Sequence, residues 1–395
     1  MPDKIPQDQP NSELLRTLFA QNKSTKQFES YYFGPKGHIE TTPPCTLLQA
    51  AGIKKESLSQ TAISALESIE EIGSEVNEEW SKFLWSLSAF THIQDLFDCP
   101  MQDGDDIKSL FQQYYFYYES RSILVECILS WLEGLYIASE TLLRPFLEFS
   151  LYQNYYIRVI RDSGTYKPLE KYFKDQINPG QSKAIRLALP QDKFCRPIRF
   201  RINAHLSALS NISQHVYHPD ASTFQHRQRS LGHSIDGLIF WKDVHMILEC
   251  ALWMYYVNFP TSFFPIDIMR KFGFNGPVGI FADPWTAQII KNSLPPADYE
   301  SFKQYAEPYA SDTIAWGQAY PDLSDSSISE TWNAKEHGPC PENLTLAYYT
   351  HVARFRATKA AFAFRGTEKV HQISPKAINL LNSFAGWTTL SKHKQ

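Results

Sequence analysis

The chain has 395 residues, of which 43% are hydrophobic, 20% charged and 14% aromatic, and its formal net charge is −4. This balance excludes a mainly disordered chain and a polyanion binder that works through bulk charge. The length allows either two ordinary domains or one large helical body.

In chain order, residues 1–50 are rich in Pro, Gly and polar side chains and predict an irregular arm with one short helix near 12–22. The polar start MPDKIPQDQPNSELL has neither the charged nor the apolar region of a secretion signal, so a cytoplasmic location is expected. Over 57–97, Ile63, Leu66, Ile69, Ile72 and Val76 recur at helical spacing with acids between them, which predicts two amphipathic helices. CPMQDGDD at 99–106 reads as a loop.

Residues 107–162 contain almost no helix breaker and repeat apolar side chains every three or four positions, so they are the expected helical centre, kinked or divided at Pro145. A turn, a short helix and a second turn follow over 161–181. Helical periodicity resumes over 198–217, is interrupted by HPDAS, and returns over 226–258. After Pro260 the chain is dense in Pro and Gly and predicts short helices, with further ones near 342–364 and 375–386. The alternation that marks β-strands is missing. The expected fold is all-α: a helical bundle over 107–259, an N-terminal helical extension over 1–106, and a C-terminal appendage of short helices and loops over 260–395.

The most apolar stretches, near 122–136 and 246–264, are broken by Glu126, Glu133, Glu249 and Pro260, so no membrane span is expected. Six cysteines, at 45, 99, 127, 195, 250 and 340, form no CxxC pair, and Cys127 and Cys250 read as buried thiols. Charge is uneven: residues 156–201 hold eleven Lys and Arg against four acids, and residues 51–110 hold twelve acids against four bases. The two segments either pair with each other or leave the basic one to face phosphate.

Four side-chain groups carry potential chemistry. Arg144 and Glu148 share a helical face within apolar surroundings, and Arg158 returns to nearly that face, which suits a structural ion pair or the floor of a polar pocket. Arg199 and Arg201 precede His205 on one predicted helix; imidazole can move a proton on a ribose hydroxyl while guanidinium stabilises charge on phosphate, without metal. His215 and His218 stand three apart beside Pro219, and half of the twelve histidines fall between His205 and His245. A metal would need a third ligand, for which His245 and Glu249 are the nearest source, but no HExxH motif is present and no metal site is assigned. The phosphate-loop, GxGxxG and GxSxG motifs are absent too, and no cofactor is expected.

The succession LLRPFLEFSLYQNYYI, a basic segment, and a helix ending LSNISQHVYHPDAS resembles bacterial all-helical families in which an LLRxxLE helix precedes an LSxxxHP-like helix end. Those families are similar to the HEPN superfamily (higher eukaryotes and prokaryotes nucleotide-binding), and the resemblance covers about 120–258. It implies metal-independent RNA cleavage or RNA binding, in a toxin or phage-defence setting, by a homodimer. Carried over by position, its helix motif falls on Arg144 and Glu148, its second histidine on His218, or on His215 in another register, and its Arg-to-His pattern on Arg199 and His205. The expected catalytic residues are thus Arg199, His205, His215 and His218, and with the neighbouring cations Arg158 and Arg201 the expected substrate-binding residues are Arg144, Glu148, Arg158 and Arg201. Phe200 departs from the polar residue that commonly follows the superfamily's Arg. Two other functions stay open: a helical adaptor that joins a partner protein, and a metal-dependent hydrolase built on the cluster between His205 and His245.

Overall fold

Every regular element among the described residues is a helix, as the apolar spacing predicts. The computed structural model describes residues 46–53, 55, 58–75, 77–93, 114–165, 167–175, 179–215, 235–273 and 282–333. The elements are α1 (Leu47–Ala51), α2 (Gln60–Glu75), α3 (Asn77–His92), α4 (Tyr115–Leu132), α5 (Tyr136–Ser163), α6 (Lys167–Asp175), α7 (Gln181–Ala188), α8 (Cys195–His215), α9 (Ile235–Asn258), α10 (Ile268–Phe272), α11 (Pro284–Asn292), α12 (Pro296–Ala319) and α13 (Asp325–Asn333). A single 3₁₀ turn, Pro260–Phe263, follows α9. The helices expected near 12–22, 342–364 and 375–386 lie outside the described residues.

The long helical centre divides at Gly134, not at Pro145. Gly134 has φ +79°, a left-handed conformation that glycine adopts without steric cost, and the amides of Gly134 and Leu135 close the turn onto the carbonyls of Trp131 and Ser130. The chain reverses there, and α4 and α5 pack side by side. Pro145 removes one amide donor from α5, yet the 28-residue helix runs through it. Gln153 of α5 accepts from the Tyr117 amide over 2.8 Å, a donor in the first turn of α4 that also reaches the Tyr114 carbonyl at 3.1 Å.

Helix α9 is apolar around most of its circumference, the mark of a central helix, and packs against α2, α3, α5, α8 and α12. Large rings fill the spaces between helices: Phe116 stacks on Tyr156 with centroids 5.1 Å apart, Phe90 meets Phe146 edge-on at 5.2 Å, and Trp131 stacks on Phe240. A buried polar knot ties α5 to the end of α9. Asn258 Nδ2 donates to Asn154 Oδ1 over 2.9 Å and lies 2.9 Å from the Ala188 carbonyl, while Arg161 Nη2 donates to the Asn258 carbonyl over 2.7 Å.

The part of the expected appendage that is described shares the bundle's core. Phe263, Met269, Ile289, Ile290, Phe302 and Ile328 belong to the same buried cluster as Leu66, Leu147 and Leu248. Helix α12 runs 24 residues where short helices were expected, with Pro308 inside it. Phe263 and Phe302 stack at 6.0 Å, and Tyr256 of α9 meets both edge-on. Among the described residues no helix is long and apolar enough to cross a membrane.

Candidate functional site

On α9, Lys242, His245, Glu249 and Trp253 form one stripe, each three or four residues from the next. This stripe lies between α3 and α8. Lys242 Nζ pairs with Glu79 of α3 over 2.9 Å, and Ser86 Oγ lies 3.1 Å from His245 Nε2. From the other side, Arg201 Nη2 donates to Glu249 Oε2 over 2.9 Å, and the guanidinium carbon sits 4.5 Å from the Trp253 ring centre. The Glu249 side chain is 19% exposed and that of Arg201 32%, so the pair is partly desolvated.

Burial sets the electrostatics of the cluster. It pushes the His245 imidazole down to about 4, with the Arg201 charge acting in the same direction, so His245 is neutral at pH 7. His205 stands one turn after Arg201 and is half-buried; burial and Arg201 lower its pKa, against the pull of Asp243 and Glu249. The Glu249 carboxyl is raised by burial, which Arg201 opposes.

Ser86, His245 and Glu249 have the residue types of a nucleophilic triad but not its geometry. Ser86 and Glu249 both approach the same nitrogen, Nε2, at 3.1 and 3.9 Å, whereas a triad's carboxylate holds the imidazole by the opposite nitrogen. Ser86 is also fully buried and out of a substrate's reach. Beside the stripe, a cleft of about 690 Å³ opens between α3 and the α11–α12 junction, walled by Lys82, Trp85, Lys291 and Tyr299. Lys82 contributes to the field on His245, and Asp298, next to Tyr299, to that on Glu249.

The sequence-derived candidates separate into several places. Arg201 and His205 share a face of α8, one turn apart. Arg199 does not join them: its guanidinium donates to the Pro190 carbonyl in the turn before α8 and acts on Asp192, and the helix places it about 120° around the axis from His205. His215 is the last residue of α8, which sets it roughly 15 Å along the axis from His205. His218 lies outside the described residues. Arg144 and Glu148 form the expected ion pair, Nε to Oε1 at 2.9 Å, on α5 beside Tyr152. Arg158 faces Asp162 of its own helix at 3.7 Å.

Among the described residues no group of three His, Cys, Asp or Glu is arranged to hold a metal ion. Sequence reasoning linked Glu249 to His245 but missed its stronger bond to Arg201, 48 positions away. Ser86 was missed too, because a contact across 159 positions leaves no periodic trace. Trp253 carries such a trace, four residues after Glu249. No family model matches the chain, and neither a curated protein nor a solved structure is similar to it.

Proposed function

We propose that the chain binds RNA and cleaves it without metal, with His205 as the proton-transfer group and Arg201 as the phosphate ligand. One observation carries this reading: Arg201 and His205 stand a turn apart on one face of α8, with the imidazole held toward its neutral, basic form. A neutral imidazole can take the proton of a ribose 2′-hydroxyl, and guanidinium can meet the charge that grows on phosphorus-bound oxygen. The bond to Glu249 uses Arg201 Nη2, while the side chain as a whole carries five N–H donors. The resemblance to HEPN nucleases supports the reading, along with homodimerisation and a toxin or defence role.

The test is incubation of the purified chain with labelled mixed-sequence RNA, with and without EDTA, beside His205→Ala and Arg199→Ala. Cleavage that survives EDTA, is lost in His205→Ala and persists in Arg199→Ala is the expected result. Intact RNA with a folded protein ends the nuclease reading. A non-catalytic helical adaptor is the second reading, favoured by the engagement of Arg201 on both Glu249 and Trp253, which suits a structural brace. Stable co-purification with a partner protein, undisturbed by His205→Ala, is the result that selects it.

A further inference from the structure

Among the described residues Phe200 is the most exposed large apolar side chain, at 76%. It lies on the outer face of the first third of α8, where Arg196 precedes it by one turn and Asn203 and Ser207 follow on the same side, all exposed. The other face of the helix is spoken for: Ile198, Ile202, Leu206 and Leu209 are buried in the core. The local chain is mainly basic. Residues 181–201 contain six Lys and Arg against one acid, Asp192. Asp192 is occupied, accepting from the Cys195 amide and from the Tyr305 hydroxyl. Arg199 and Arg201 are turned to internal partners, whereas Lys183, Arg186, Lys193 and Arg196 are exposed, and none of these four has an ion pair among the described residues.

Resting on the RNA reading above, we infer that Phe200 is a stacking platform for an unpaired base of single-stranded RNA, with Arg196 and the neighbouring bases on its phosphates. A lone ring among cations and hydrogen-bonding side chains suits this partner. Every nucleobase offers a π face to the ring, and the backbone supplies the complementary charge. A protein partner would instead find one large apolar side chain, flanked on the helix by the small groups of Pro197 and Ala204 and by Arg196 and Asn203, not the broad apolar centre of a protein interface. A duplex hides its base faces and has nothing to place on Phe200.

The experiment measures binding of the full chain to a short fluorescent 2′-O-methyl RNA, whose blocked hydroxyl prevents cleavage during titration, as a single strand and annealed to its complement. Phe200→Ala is expected to weaken single-strand binding about tenfold and to leave duplex binding unchanged, while Phe200→Trp keeps full affinity. Arg196→Ala is expected to weaken both and to reduce the salt dependence by about one counterion. Unchanged single-strand affinity in Phe200→Ala overturns the platform and leaves the RNA reading standing. Absence of binding to either form by the folded wild type removes both together. Sedimentation of the same variants supplies the remaining outcome: a dimer that Phe200→Ala converts to monomer assigns the ring to a contact between copies and overturns the inference.

Discussion

Arg201 reaches Glu249 across the α8–α9 boundary at 2.9 Å, and the same guanidinium lies over Trp253. Removing Arg201 leaves the largely buried Glu249 carboxylate without the cation that hydrogen-bonds to it and opposes its burial. Arg201→Ala is therefore expected to cost about 2 kcal/mol of stability, less than a fully buried pair because both side chains keep some solvent contact. Glu249→Gln added to Arg201→Ala is expected to restore part of the loss, which urea denaturation of the four-member cycle measures. Equal losses with and without Glu249→Gln would show that Arg201 acts through packing on Trp253 alone.

His245 makes the fold sensitive to mild acid. Its folded pKa, about 4, lies below the ordinary 6.5, so the unfolded chain takes up the proton first. Its contribution is complete above pH 6.5 and declines as pH falls toward 4. Glu249, raised by burial, works in the opposite direction and softens the decline. Between pH 7 and pH 5 the wild type is expected to lose about 2 kcal/mol more than His245→Gln, read from urea midpoints.

Asn258 joins α9 to the interior of α5 and the end of α7, and its replacement leaves buried acceptors on Asn154 and Ala188 without that donor. Asn258→Ala is expected to destabilise the fold by about 2–3 kcal/mol, and Asn258→Asp by at least as much, because it puts a carboxylate beside carbonyls. Thermal unfolding of both variants checks this; a change under about 0.5 kcal/mol in either would show the knot to be dispensable.

Gly73 sits where α2 meets the Trp80 ring, and a Cβ built there would lie 2.6 Å from it. Trp80 has no free space to retreat into, being packed edge-on to Trp241 at 6.1 Å. Gly73→Ala gains about 1 kcal/mol of helix propensity and is still expected to destabilise on balance by about 1–2 kcal/mol, because overpacking outweighs it. Calorimetry decides the sign, and a higher melting temperature would count against the clash.

Local pattern carried the helices, and cross-helix geometry carried the site. Leu66 and Ile69, read as one apolar face, are buried in α2, and Cys127 and Cys250 are buried thiols as their surroundings suggest. Arg144 and Glu148 meet because four residues make a helical turn. The division of α4 from α5 was legible in principle at Gly134, but Pro145 drew attention because proline's lost donor is a stronger local signal than a glycine's freedom. Ser86 against His245 and Arg201 against Glu249 depend on how helices cross, which no spacing within one helix encodes. Arg199 and Arg201 looked equivalent ahead of His205; the helical repeat, taken in full, separates them by 200°.

The bond between Asn154 and Asn258 spans 104 positions, and that from Arg161 to the Asn258 carbonyl spans 97. During synthesis, Asn154 emerges from the ribosome well before its partner has been made, an interval of roughly 5–20 s at ordinary elongation rates. Through that interval α5 must keep a polar edge wet within an otherwise apolar surface, with α9 still missing from the centre it will fill. Chains released short of residue 258 thus end with an open seam along α5, which makes them substrates for chaperones and proteases rather than small stable fragments.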